Sequence, residues 1–312
     1  MRPVRLKVLL LLGSCVAMLA TCGGNGNERS GPRIAARVRV GAAPSDLAAA
    51  NGAMWLLNSE YLQRLDPHRN VTTLGKPPEI GNGGLGLAVG EGALWSTAAL
   101  DGVLVKIDPR TLRRKRIRIP RAGPSDVAVG EGSVWAISSS GGFAARVDPR
   151  TNRVTRTVAV GSQPSAVAIG AGSAWVANLG DGTVSRLDTR TGRALGEPIP
   201  VGAQPAGIAV GAGAVWVANS GGSSVSRIDP EAGRVTATVH GVGQSPSDLA
   251  LGFGYVWVLN GKGDTLVRID PRDDKTAGSP LRVGTGVTDV TTGFGSVWVA
   301  SSGDSDVARI IP

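Results

Sequence analysis

All seven tryptophans of the chain fall in one series: Trp55, Trp95, Trp135, Trp175, Trp216, Trp257 and Trp298. The intervals are 40, 40, 40, 41, 41 and 41 residues. A period of about 40–45 residues made of strand-like units is the mark of propeller blades, because one such unit cannot bury its faces alone and must stack on a neighbour. Around each tryptophan the chain reads approximately V-G-x-x-P-S-x-V-A-V-G-x-G-x-V-W-V-A-N-x-G-x-x-x-V-x-R-I-D-P-x-T-G-R-V. Helical periodicity is absent beyond the first 20 residues. The expected fold class is therefore all-β: a seven-bladed β-propeller with four antiparallel strands per blade.

Four strands can be read from the unit. Strand A is of the type Asp126–Val129, strand B carries the tryptophan, strand C is of the type Val184–Leu187 and strand D of the type Val154–Val160. The separators are turn chemistry: G-x-G between A and B, N-x-G-x between B and C, and D-P-x-T-G between C and D. In the last, proline fixes the φ of turn position i+1 and aspartate bonds forward into the turn. Prolines of the repeats fall in these turns, in the D–A connections (Pro44, Pro124, Pro164, Pro205, Pro246) or in strand D (Pro77, Pro78, Pro120, Pro198, Pro200, Pro280). Proline cannot donate to a ladder, which places strand D at the outer edge. Ile34–Gly41 aligns with Val154–Gly161, so it is a strand D without A, B and C. Val307–Pro312 is a strand C without D. The first strand is expected to complete the last blade and close the ring.

With 312 residues and 42% hydrophobic content the chain can build a sizeable core. Its 46 glycines follow no Gly-X-Y period and belong to turns. The beginning reads as a leader. Arg2, Arg5 and Lys7 precede VLLLLGSCVAMLA, which is shorter than the about 20 apolar residues of a membrane span and fits a secretory signal. Leu19–Cys22, LATC, resembles the lipobox of bacterial lipoproteins, although Thr21 departs from the usual small residue before the cysteine. The implied organisation is a signal peptide over 1–21, a flexible tether over 22–33 with Cys22 lipidated, and the propeller over 34–312. An ordinary signal peptide with an incidental cysteine is the other reading. Cys15 and Cys22 are the only cysteines, so a chain cleaved before Cys22 has no internal disulfide.

VWVAN…VSRIDP…TGRV resembles the YVTN-repeat and streptogramin-lyase-like (virginiamycin B lyase-like) seven-bladed propellers of bacteria, over nearly all of 34–312. The resemblance implies architecture. It implies little about activity, since propellers host unrelated functions. That lyase family uses paired histidines with a glutamate and a metal. Here the only histidines are His68, in a C–D turn, and His240, at the end of a strand D. The blade scheme puts them on opposite faces, where they cannot meet as a metal or acid–base pair.

Residues at one position of every blade are expected to hold the blade. The tryptophans fill the gap between sheets. The Arg-x-Asp pairs, such as Arg146 with Asp148 and Arg268 with Asp270, share a strand face and are expected to be ion pairs. Candidate binding residues are sought where the repeat varies on the face made by the D–A and B–C loops. Nine positions before each tryptophan stand Asp46, Gly86, Asp126, Ala166, Gly207, Asp248 and Asp289. Asp248, Asp289 and Asp46 fall on consecutive blades, with Asp126 further round. Clustered carboxylates repel unless a cation compensates, so this arc is a candidate site for a cation or a basic ligand; the alternative is that each aspartate caps its own turn. Glu60, Tyr61 and Phe143 break the repeat in loops and are candidates for a pocket rim, or ordinary loop variation.

The net charge of +9 becomes +6 when the three cations of the leader are removed. Much of the excess lies in RTLRRKRIRIPR, residues 110–121, where Arg114, Arg116 and Arg118 alternate along an outer strand. Such an edge discourages aggregation or contacts an anionic surface of lipid or cell-wall polymer. No catalytic residue is assigned, and the metal and any cofactor stay unknown. The expected function is a non-catalytic ligand- or protein-binding or scaffold module, lipid-anchored on the extracytoplasmic face of the cell membrane, or secreted if Cys22 is not lipidated. Its expected partners are the membrane, through the lipid, and an envelope protein or cell-wall polymer. The address argues against nucleic acid. The alternative is a metal-assisted lyase or hydrolase of the streptogramin-lyase type.

Overall fold

The computed structural model describes residues 31–41, 43–73, 78–120 and 123–312. The leader, Cys22 and most of the tether lie outside the described residues, as does Pro77. Twenty-eight strands form seven four-stranded antiparallel sheets, and no helix occurs among the described residues. The A strands are Asp46–Ala50, Leu87–Gly90, Asp126–Gly130, Pro164–Gly170, Pro205–Gly211, Gln244–Gly252 and Val287–Gly293. Each contacts the A strands of both neighbouring blades, including blade 7 with blade 1, so they line the centre of a closed ring. The D strands form the perimeter.

Closure follows the expected route. Arg33–Arg39 pairs antiparallel with Asp306–Ile311, from Arg33 opposite Ile311 to Arg39 opposite Asp306. Blade 7 is therefore tied together by residues from both ends of the propeller. The A strands of blades 4 to 6 begin earlier than turn chemistry alone indicates. Pro164 and Pro205 already face Asn178 and Asn219, and a register shift follows each. A bulge accommodates the proline while the strand keeps its inward pattern.

Seven apolar clusters fill the seven gaps between adjacent blades, and each contains one tryptophan. Five indole N–H groups donate to the carbonyl five residues earlier, for example Trp175 to Gly170 at 3.0 Å and Trp298 to Gly293 at 3.0 Å. That earlier residue is glycine in six blades for a packing reason. A Cβ on Gly90 would lie 2.5 Å from the Val129 side chain of the next blade, and one on Gly170 would lie 2.7 Å from Val210. The glycine thus lets the inner strands close on each other where the ring is narrowest. The A–B turns place two successive residues at positive φ, such as Glu131 (50°) and Gly132 (70°), the geometry of a tight hairpin turn.

The Arg-x-Asp expectation is corrected by the structure. Neither Arg146 with Asp148 nor Arg268 with Asp270 forms an ion pair among the described residues. The aspartates turn back over the C–D turn and accept its amides: Asp148 takes Arg150 at 2.7 Å and Thr151 at 3.2 Å. In four blades the cation at this position lies over the indole opposite it, with Arg186 4.9 Å from the ring centre of Trp175 and Arg309 5.6 Å from that of Trp298, while Arg268 lies 4.8 Å from the ring centre of Tyr255. Several then reach the next blade: Lys106 donates to the Pro149 carbonyl, Arg146 to that of Thr189 and Arg309 to that of Pro67. A shared strand face settles proximity, but a guanidinium is long enough to choose a partner across the gap.

Candidate functional site

Asp46 and Asp126 open their A strands, while Asp289 is the third and Asp248 the fifth residue of theirs, and all four stand toward the channel end formed by the D–A and B–C loops. There Asp46, Asp126, Asp248 and Asp289 are each partly exposed to solvent. Each carboxylate reaches one blade forward. Asp46 accepts the Leu87 amide at 2.6 Å, Asp126 that of Val167 at 2.9 Å, Asp248 that of Val290 at 2.9 Å and Asp289 that of Leu47 at 3.0 Å. Asp46 and Asp126 also accept the amide of the residue that follows them. The carboxylates are therefore staples between blades, which differs from a cap on each aspartate's own turn. Gly86 and Gly207 occupy the column where an inward side chain would collide: a Cβ on Gly86 would lie 2.8 Å from Oδ1 of Asp126.

The four groups act on one another. Desolvation raises the pKa of Asp46 well above the carboxylate range, and the charges of Asp126 and Asp248 add to it. Asp289 is raised in the same way by desolvation and then by Asp46 and Asp248. Desolvation also raises Asp248, and brings Asp126 to about 7. Asp126 is thus electrostatically part of the arc. Among the described residues, no three His, Cys, Asp or Glu side chains converge as metal ligands.

The other sequence candidates separate. Phe143 is corrected: it is 2% exposed, in the apolar cluster between blades 2 and 3, and lines no rim. As the first residue of its C strand it points inward, with its ring under Gly141. Glu60 is exposed, and Tyr61 is half-buried and bridged to Glu79. Glu60 shares a surface hollow of 290 Å³ with Glu79, Asp101, Arg114 and Arg116, two groups that the sequence does not connect. In it Arg116 pairs with Asp101 at 2.6 Å, and Arg114 donates to the Glu79 carbonyl. Arg118 is exposed. His68 packs edge-on to Phe294, a residue of the blade 7 A–B turn. His240 pairs with Ser224 at the start of a C strand, the end that abuts the B–C turn. The two histidines therefore sit at opposite ends of their blades.

Sequence reading missed the ties on the turn face. Glu91 accepts the amide of Gly132 at 3.1 Å and Glu131 that of Gly172 at 3.1 Å, each one blade on. The signal was available as a glutamate at a position of positive φ, where a bulky side chain needs compensation.

Comparison with known proteins identifies shared architecture. A model described as a repeat of unknown function, DUF6923, matches residues 180–309. No curated protein matches the chain. Virginiamycin B lyase from Staphylococcus aureus is similar in structure at 15% identity and a TM-score of 0.77, covering 90% of this chain and all of that one. Hydrazine synthase of Kuenenia stuttgartiensis is similar at 13% identity and 0.77, covering 88% and 97%. U3-55K is similar at 11% and 0.74, covering 90% and 98%. Proteins with such different names share one seven-bladed frame, so at these identities the likeness is one of fold.

Proposed function

We propose that the protein is a non-catalytic binding or scaffold propeller, anchored by a lipid on Cys22 at the extracytoplasmic face of the membrane. The observation that carries the non-catalytic part is the separation of His68 and His240 on opposite faces of the ring. A metal-assisted lyase needs its ligands and its acid–base group within about 3 Å of one reacting centre. The channel carboxylates support the same reading, because both oxygens of Asp46 and Asp126 are already engaged by backbone amides. The anchor rests on the charged leader, the short apolar stretch and LATC.

Expression with labelled palmitate tests the anchor. Label and protein are expected together in the membrane fraction, and Cys22→Ala is expected to lose both. Unlabelled protein, or Cys22→Ala that stays on the membrane, removes the lipid anchor from the proposal. The same preparation, given a divalent metal and a cyclic depsipeptide, is expected to leave the ring intact. Linearisation that disappears in His68→Ala or His240→Ala would establish the lyase instead.

A further inference from the structure

Charge in this propeller is sorted by radius. The seven A strands, at the centre, carry four aspartates and no Lys or Arg. The seven D strands, at the perimeter, carry twelve Lys or Arg and no Asp or Glu. Four of the twelve are on blade 2, three on blade 7, two each on blades 3 and 6, and one on blade 5. Edge protection explains charge on an outer strand, but charge of either sign blocks pairing. Five charged edges, all of one sign, call for a further reason.

The densest sector is the seam of blades 2 and 3, whose D strands touch. On these two strands Lys115, Arg118, Arg153 and Arg156 are exposed and, among the described residues, have no ion-pair partner; Arg156 leans over Gly192 of blade 4, so the cations spread along the wall instead of facing one gap. Guanidinium groups offer a planar fork that matches phosphate oxygens. The cations lie on a convex side wall and recur around it. A flat bilayer meets such a wall along one or two blades, whereas a flexible chain follows the curve.

From this distribution we propose that the perimeter binds a linear, flexible polyanion with repeated phosphate groups, which lies first across the D strands of blades 2 and 3. The proposal deepens the binding-module reading and rests on it, but uses nothing of the lipid anchor.

Titration of the full-length protein with long-chain polyphosphate at about 50 mM salt tests it, since binding that releases the polyanion's condensed counterions weakens steeply as the salt concentration rises. The quadruple variant Lys115→Gln, Arg118→Gln, Arg153→Gln, Arg156→Gln is expected to bind at least about ten-fold more weakly, with a salt slope lower by roughly 3, as for four lost contacts on a single-stranded polyanion. Two controls fix the location. Arg110→Gln, Arg113→Gln, Arg150→Gln, Arg190→Gln removes four cations from the C–D turns and is expected to bind within two-fold of wild type. Arg118→Lys, Arg153→Lys, Arg156→Lys keeps the charge and is expected to keep the slope. Equal losses in both quadruple variants would reduce the effect to net charge and overturn the proposal. Absence of polyphosphate binding would also overturn it, as would rim-dependent binding only to phosphatidylglycerol vesicles. Each of these leaves the non-catalytic reading standing, because the depsipeptide assay reads that separately.

Discussion

Trp216→Ala is expected to lower the stability of the propeller by about 3–5 kcal/mol, with a fall in melting temperature of roughly 10 °C. Trp216 is fully buried in the cluster between blades 5 and 6, against Leu249, Val256 and Ile269 of the next sheet. Three losses combine. The apolar burial goes, a cavity stays because stacked sheets cannot collapse sideways, and the Gly211 carbonyl loses the indole N–H at 3.2 Å. Arg227, 5.7 Å from the ring centre, also loses its platform. Trp216→Phe separates these terms, since it keeps most of the volume and removes the hydrogen bond. The matched change Trp135→Phe is expected to cost about 1 kcal/mol less, because the Trp135 indole nitrogen has no partner. Urea titration measures both, with the m-value unchanged. Equal costs for the two phenylalanine variants would show that the indole hydrogen bond contributes nothing.

How legible this was differs by element. Blade number, strand order, turn placement and ring closure could be read because the repeat states the same physics seven times. A proline or glycine that recurs at one position marks a turn or an edge whatever its neighbours are. The aspartate column was equally visible, since it is the variable position of an otherwise regular strand. Its role was not, because the acceptor reaches an amide on the next blade, some 41 or 42 residues on. The same limit explains Lys106, Arg146 and Arg309, whose partners lie across a gap between sheets. Phe143 misled for a different reason. It departs from the repeat and lies near a loop, but the first residue of a C strand points into the core, where an aromatic ring fits. The radial sorting of charge is also written in the sequence. It emerges only when strands are grouped by distance from the axis instead of by order along the chain.

The channel carboxylates make the fold more stable in mild acid than in mild alkali. Burial raises Asp126 to about 7, and raises Asp46, Asp248 and Asp289 as well. A carboxyl raised on folding contributes stability that is full below its unfolded pKa of about 4 and is lost as pH rises through the folded value. The six C–D turn aspartates have the opposite sign. Turn amides lower Asp66, Asp108, Asp148, Asp188 and Asp229, while the Arg272 guanidinium and its amide lower Asp270 to about 2, so their contribution falls away only below pH 4. The two groups together place the stability maximum near about pH 4. From pH 5 to 8 the Asp126 share of the decline is about 1 kcal/mol, roughly half of what its shift implies over that window in a dry site, because the side chain is partly open to solvent. Asp126→Asn keeps one acceptor oxygen and cannot ionise, so it is expected to melt lower than wild type at pH 5 and to lose less between pH 5 and 8. Relief of repulsion on Asp46 follows, since Asp126 is the strongest charge acting on it. A melting temperature that rises from pH 5 to 8, or an equal decline in the variant, would show that the four carboxylates are ionised together and that the channel holds their charge by some other means.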